Sequence, residues 1–497
     1  MILWSLILIP FVAGLISYFI TVDRLRRVLW FVAAAAHLFL SFYLALQDAE
    51  VTSRIQGGWL ALDALSRLFL PLTSLLFAAA TLYAIGSFEN GHGHSAASEP
   101  EKTRSRIRPE SVFTGCMLIF HASMTTVILS HRLGLQWVAI EATTLASTPL
   151  IYYHQGKRSL EAAWKYILLC SVGIAIALLG VFSLALAAGG VTSELSVESL
   201  VSHATQLDAR WLKLVFIFIL VGYGSKMGLA PLHTWLPDAH SEAPSAVSAL
   251  LSGALLNCAF IGILRVLQIL NAAGMGDFGQ QILIFFGLLS MGIAAIFILR
   301  QPDYKRLLAY SSVEHMGIII LGTGLAQGGM FSSLLHAVNH SFVKSMLFMT
   351  AGNILAVYAT KRIDGVRALK RTVPLVAVLW FGGFLAITGS PPFGTFISEF
   401  SILQEAVRQE RFVTTGLYLF FLLLVFVGMA ATFSRMTFGV AGAGEVGSGN
   451  TPLKLHPWSL VPPIFLGLAA LMMGIYIPEQ LDMWLHNAAR LIAGGAL

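Results

Sequence analysis

Charge is scarce in this chain. Only 11% of its 497 residues are Asp, Glu, Lys or Arg, against about a quarter in an ordinary soluble domain. A water-facing globule of this length is therefore excluded. Cysteine is scarcer still: Cys116, Cys170 and Cys258 each stand inside an apolar stretch. None has the spacing of a disulfide framework, a zinc ligand set or an iron–sulfur cluster, so they read as small core residues. A glycine-rich phosphate-binding loop is also lacking. We expect no catalytic residue set, no metal and no cofactor in this chain. The net charge of +6 does not point to nucleic acid, because in an apolar chain the location of the positive charges matters more than their sum.

What is abundant is hydrocarbon, at 57% of residues. The first residues, MILWSLILIPFVAGLISYFI, have no basic leader and no small-residue cleavage site, and read as a first span rather than a signal peptide. A span takes roughly 20 mostly apolar residues. On that scale spans are expected near 2–20, 28–47, 65–86, 112–130, 133–153, 161–187 and 212–232, then near 244–271, 280–299, 304–326, 329–357, 372–406, 412–434 and 458–477. The expected fold is an all-α integral membrane protein of about fourteen helices. Continuous apolar runs exclude a barrel, whose strands would alternate in short segments.

Loops after odd-numbered spans hold nineteen Lys and Arg, among them Arg24, Arg26, Arg27 and the five of KRIDGVRALKR; the opposite loops and the tail hold seven. The positive-inside bias therefore puts the odd loops in the cytoplasm and both termini on the outer side. The longest hydrophilic insert, residues 87–110, contains GHGH, which reads as incidental rather than as a metal clip.

Five basic residues remain inside spans: Arg67, Lys165, Lys226, Arg265 and Lys344. Arg67 and Arg265 lie near span ends and are expected to snorkel. Lys165 follows a loop by a few residues, and a helix-end anchor and a secondary functional role both fit it. Lys226 and Lys344 stand well inside apolar runs, where a central charge costs about 2.5–3.5 kcal/mol. Acids accompany them: Glu141 in GLQWVAIEATTLASTPL and Glu399 in PPFGTFISEFSIL. His336, His340 and Lys344 follow one another at intervals of four, which stacks them on one helix face, and His315 lies one span earlier. A single buried Lys–Glu pair could simply tie two helices together. Titratable groups recurring in several spans are harder to explain as packing; a chain of them is what proton transfer needs, since moving a partner's charge switches proton affinity.

Gly222, Gly224 and Pro231 are expected to interrupt span seven, and GSPPFG at 389–394 to interrupt span twelve. Unwound backbone at membrane depth is tolerated where it lines a cavity. Two broken helices about five spans apart suggest inverted repeats, spans 4–8 and 9–13, with Lys226 and Glu399 as pseudo-symmetric partners. The implied organisation is 1–110, three spans and the hydrophilic loop; 111–271, the first repeat; 280–435, the second; and 436–497, the last span and tail.

GSKMGLAPLHTWLPDAHSEAPSAVSALLSG, LAYSSVEHMG, HAVNHSFVKSMLF and GSPPFGTFISEF together resemble the antiporter-like subunits of respiratory complex I and its relatives, over about residues 110–435. EATTLAS at 141–147 and DAHSEAPS at 238–245 look most like the F-type subunit of hydrogenase-4 and formate hydrogenlyase complexes. The resemblance implies a bacterial or archaeal plasma-membrane subunit of fourteen helices with two inverted five-helix repeats. It implies that Glu141 is the fifth-helix glutamate paired with Lys226, that Lys344 is the eleventh-helix lysine with His336 and His340 beside it, that Glu399 takes the twelfth-helix position, and that His315 is the SSxxHMG histidine. In one place the sequence departs: Asn257 stands where many relatives have Lys or His in helix eight. An amide cannot titrate, so a crossing there would need water or His336.

The implied function is proton translocation within a redox-driven complex, hydrogenase- or complex I-like. The implied partners are other membrane subunits and a peripheral redox arm, and the ion is H⁺, with Na⁺ as the other candidate. The alternatives are a subunit of a multi-subunit Na⁺/H⁺ antiporter, a proton-driven module for inorganic-carbon uptake, and a bundle with a purely structural role.

Overall fold

Backbone N–H and C=O groups at membrane depth have no water to bond, so they must satisfy one another. The computed structural model, which describes residues 2–47, 58–89, 110–192, 194–440 and 455–493, does this with helices. Among the described residues there is no strand, only isolated bridges between loops. Ten helices are long and apolar enough to cross a membrane. They are α1 (Ile2–Phe19), α2 (Asp23–Ala45), α3 (Ala64–Glu89), α4 (Glu110–Leu129), α6 (Lys157–Ala188), α8 (Ser245–Ala272), α9 (Gly276–Ile298), the bulk of α11 (Ala326–Tyr358), α13 (Phe412–Phe438) and α14 (Pro457–Ile475). The other four expected segments fall on helices that are more polar or divided. These are α5 (Leu133–Ile151), α7 in two pieces (α7a, Ala209–Met227; α7b, Trp235–Glu242), α10 (Tyr304–Gly324), and α12, also in two (α12a, Pro374–Ile387; α12b, Gly394–Arg408).

Burial sorts these helices by position. α8 is buried from Ser245 to Leu270, whereas α13 leaves most of its residues unburied. Phe39, Val172, Ile296, Val378 and Val413 are among the large apolar side chains left exposed, as a lipid-facing surface requires. The molecule is a multi-pass integral membrane protein, and α7b, α8, α10 and α11 form its interior.

The breaks differ from the expectation in one respect. α7a runs straight through Gly222 and Gly224 and stops at Gly228, whose φ of 86° is left-handed. That conformation suits glycine and ends a helix. Gly222 instead permits close approach: a Cβ there would lie 2.6 Å from the Gly173 carbonyl oxygen and from Ala177. Small residues at such crossings let membrane helices touch backbone to backbone. In α12 the break runs through residues 388–393, with Gly389 at φ 60°.

Loops gather on two opposite faces. On one, Asp303 bridges to Arg362, and Arg435 and Arg362 both reach Asp364. On the other, Ser130 bridges to Leu60 and Arg132 to Ser196.

Candidate functional site

Lys226 occupies the last turn of α7a and is fully buried. Its ammonium donates to Thr144 Oγ1 of α5 at 2.8 Å and to the Tyr166 hydroxyl of α6 at 2.6 Å, and lies 4.5 Å from the Tyr166 ring centroid. The Tyr166 hydroxyl is also 2.7 Å from Ser147 Oγ. Glu141, on the same helix as Thr144, accepts from Ser171 Oγ at 2.8 Å, and its Oε2 has no partner among the described residues. The expected Lys226–Glu141 pair is thus not a contact pair. Hydroxyls hold the ammonium, and Glu141 acts on it through space. Helical spacing explains this: Glu141 and Thr144 share a face, and Thr144 is the one that reaches α7a.

The second cluster forms where α10 and α11 face each other. α10 presents Leu308, Ser311 and His315 at helical spacing; α11 presents His336, His340 and Lys344. Lys344, fully buried, donates to the Leu308 carbonyl oxygen at 2.8 Å and to Ser311 Oγ. It has no carboxylate partner among the described residues, although Glu314 lies within electrostatic range. His315 Nδ1 is 2.8 Å from His336 Nε2, and its Nε2 is 2.9 Å from the Ile387 carbonyl oxygen. His336 Nδ1 is 2.8 Å from Ser398 Oγ of α12b. The His340 ring centroid is 5.4 Å from that of His315, and its nitrogens have no partner among the described residues. Glu399, 7% exposed, has an unpartnered Oε1 and sits against Gly389 at the break.

Between the clusters lies α8, which widens into a π-turn at Leu251–Leu255. π-turns inside helices recur at functional sites. Here Ser252 Oγ lies 2.8 Å from Ser312 Oγ of α10. The Asn257 amide donates to the Gly253 carbonyl oxygen at 3.1 Å and to Ser341 Oγ at 2.8 Å. Both His336 nitrogens are engaged elsewhere, so the crossing at Asn257 is met by Ser341 and not by His336. A titratable group overlooked in the sequence stands nearby: His240 of α7b is fully buried and stacks on Phe348 at 4.8 Å. Its nitrogens are unpartnered among the described residues, and it lies within electrostatic range of His340 and Lys344.

Other expectations need correction. Lys226 precedes its helix break by two residues, whereas Glu399 lies on the helix that follows its own break. The two therefore do not occupy equivalent positions. Lys165 is half-exposed and bonds Glu161 at 2.6 Å and Asp238 at 2.9 Å; Arg306 joins Asp238 at 3.1 Å. This is an ion-pair network at the helix end, apart from the buried row. Arg67 bonds the Gln47 carbonyl oxygen near a helix start. Arg265 does not snorkel: it is 1% exposed, donates to the Ile128 carbonyl oxygen at 2.8 Å and approaches Asp63 at 3.4 Å. Lys305, counted with the loop cations, is also buried and donates to the Ala243 carbonyl oxygen at 2.7 Å. The GHGH segment lies outside the described residues.

Comparison with known proteins covers this whole arrangement. The family described as NADH:quinone oxidoreductase/Mrp antiporter, transmembrane, matches residues 130–427, a span that holds every group from Glu141 to Glu399. The hydrogenase-4 component F homolog of Methylacidiphilum infernorum is 37% identical over 379 residues, 74% of this chain and 77% of that protein. Among solved structures, a chain of the membrane-bound sulfane sulfur reductase, an archaeal respiratory complex, superposes with a TM-score of 0.85 at 21% identity, covering 99% of this chain and 97% of that one. A chain of the Mrp complex from Dietzia sp. DQ12-45-1b superposes with a TM-score of 0.79 at 21% identity, covering 98% and 97%. At those identities the structures speak for the fold.

Proposed function

The chain belongs to the NADH:quinone oxidoreductase/Mrp antiporter transmembrane family, and from that premise we propose that it is a proton-translocating membrane subunit of a redox-driven complex. Protons move along a buried row: Glu141, Lys226 and Tyr166 in the first half; Lys344, His340, His315, His336 and Glu399 in the second; and the serines, Asn257 and His240 between them. The carrying observation is the manner in which the two lysines are held. A structural lysine at this depth should be neutralised by a carboxylate, because a desolvated unpaired ammonium is costly. Lys226 and Lys344 instead meet hydroxyl and carbonyl oxygens. Hydroxyls can both accept and pass on a proton, and the acids at a distance can modulate each amine without locking it.

Fourteen crossings in two inverted repeats, with the odd loops cytoplasmic, fit this reading. Electron transfer elsewhere supplies the energy, and the redox arm is a separate set of subunits. The hydrogenase-4 relative favours that arm over a free-standing Na⁺/H⁺ antiporter. The test is to isolate the native complex from its membrane and identify its subunits and metals. Hydrogenase- or dehydrogenase-type subunits bearing iron–sulfur clusters are the expected result. A metal-free set of small membrane subunits overturns the redox reading in favour of antiport, and one zinc-bearing soluble partner favours carbon uptake.

A further inference from the structure

His315, His336 and Glu399 bring one donor atom each to within 4.8 Å of one another. All three are buried. Their remaining atoms are arranged as ligands require. A metal-bound histidine usually donates its second ring N–H to a carbonyl or similar acceptor, which fixes the tautomer. His315 Nε2 faces the Ile387 carbonyl oxygen at 2.9 Å; a carbonyl only accepts, so that nitrogen carries the hydrogen and Nδ1 is bare. His336 Nδ1 faces Ser398 Oγ at 2.8 Å, and Ser398 can direct its own hydrogen to the Thr395 carbonyl oxygen at 3.0 Å. With the His336 hydrogen on Nδ1, its Nε2 is bare as well. In that tautomer, the one a metal ion would select, both bare nitrogens point into the same space, 2.8 Å apart; without an ion the pair shares one hydrogen. Glu399 completes the set with an Oε1 that has no partner among the described residues.

We propose that His315, His336 and Glu399 form a binding site for a borderline divalent transition-metal ion, with Zn²⁺ as the reference ion. Two imidazoles and one carboxylate with an open fourth position is a recurrent zinc arrangement. A hard ion such as Na⁺ or Mg²⁺ would want oxygen donors throughout. Metal–ligand bonds of about 2.0–2.1 Å require the two nitrogens to part slightly and the carboxylate to close in, which lies within the reach of a glutamate. The ion's charge is met by Glu399 and by Glu314, which is buried, has an unpartnered Oε2 and lies within electrostatic range of Glu399. The α12 break beside the site, where Thr388, Gly389 and Ser390 are half-exposed and Pro391 and Pro392 are exposed, is the route we assign to the ion. A bound ion occupies the nitrogens that would otherwise share a hydrogen, so it acts as a plug. The site itself rests on the ligand geometry and stands whether or not protons pass there.

The experiment loads the purified full-length chain, in the complex it is isolated with, with Zn²⁺ and then removes loosely held metal. X-ray absorption should show a shell of nitrogen and oxygen ligands at about 2.0 Å with the outer scattering of two imidazoles, at one ion per chain. His336→Gln and Glu399→Gln should each abolish retention of that ion. Ser398→Ala, which keeps all three ligands but removes the outer partner of His336, should weaken it about 10- to 100-fold. A His92→Gln/His94→Gln variant should leave it unchanged. An all-oxygen shell, retention of the ion in both ligand variants, or loss with the His92/His94 substitutions overturns the site. Should His336→Gln fail to assemble, Ser398→Ala and Glu399→Gln decide.

Discussion

Lys226 and Lys344 face the same difficulty with different partners. One ammonium rests on the Thr144 and Tyr166 hydroxyls, the other on Ser311 Oγ and a backbone carbonyl. The Tyr166 hydroxyl is the more telling partner, since it also meets Ser147 and so continues the row. Tyr166→Phe keeps the ring, its contact with Trp235 at 4.9 Å and the cation–π face, and removes only that oxygen. A hydrogen bond to a charged group contributes about 1.5–3 kcal/mol, so redox-coupled proton uptake should fall roughly ten- to a hundredfold while the complex still assembles, with a melting temperature only a few degrees lower. Lys226→Ala should abolish uptake altogether. Equal uptake in wild type and both variants, measured in proteoliposomes per electron transferred, would reduce the row to packing. At this scale the sequence was readable where a charge interrupts an apolar run, as at Lys226, Lys344 and Glu399. It was not readable at Tyr166, Ser311 or His240, which only tertiary juxtaposition brings to the row. Glu314 is the exception: an acid in an apolar stretch beside His315, it carries the same sequence signal as Glu141 and Glu399.

The helix break in α7 shows what element-level reading can and cannot recover. Pro231 marked the interruption, but Gly222 and Gly224 did not, because composition does not distinguish a glycine that ends a helix from one that lets two helices touch. Gly228 does the first and Gly222 the second. Gly222→Ala should therefore push α7a away from α6, at the cost typical of overpacking, about 1–3 kcal/mol. It should also carry Lys226 away from Tyr166, so stability and proton uptake drop together. Gly224→Ala, whose Cβ would have as its nearest neighbours atoms of the flexible Leu229 side chain, from 3.2 Å outward, should be nearly neutral by both measures. Thermal melting of the solubilised complex separates the two variants; equal shifts would mean that the α6–α7a contact does not set the lysine's position. The π-turn of α8 left no trace in the sequence; what shows it is tertiary, Ser252 against Ser312 of α10 and Gly253 close to Ser341 and Ser345 of α11.

At the scale of the whole molecule, the charge count and the three-dimensional fold agree on a division that neither gives alone. Basic residues from widely separated helix ends and loops meet acids on a common face: Lys165 and Arg306 at Asp238, Lys361 at Glu242, Arg435 at Asp364. Among the described residues the opposite face holds Arg132–Glu194, Arg265–Asp63 and the contact of His131 with Glu198. The exposed pairs among these add little stability; Arg265–Asp63 is buried and is not one of them. Their asymmetry matters for orientation, since cytoplasmic loops retain Lys and Arg. The face with Arg362 should therefore be cytoplasmic and the face with Thr205 external. The chain is well suited to a direct test, because Cys116, Cys170 and Cys258 are all buried and should react poorly with a membrane-impermeant maleimide. Thr205→Cys and Arg362→Cys each place a thiol at an exposed position. In intact cells the reagent should label Thr205→Cys, and it should label Arg362→Cys only after permeabilisation. The reverse pattern would turn the molecule over, placing both termini in the cytoplasm, and would set the direction of proton movement along the buried row in the opposite sense relative to the redox arm.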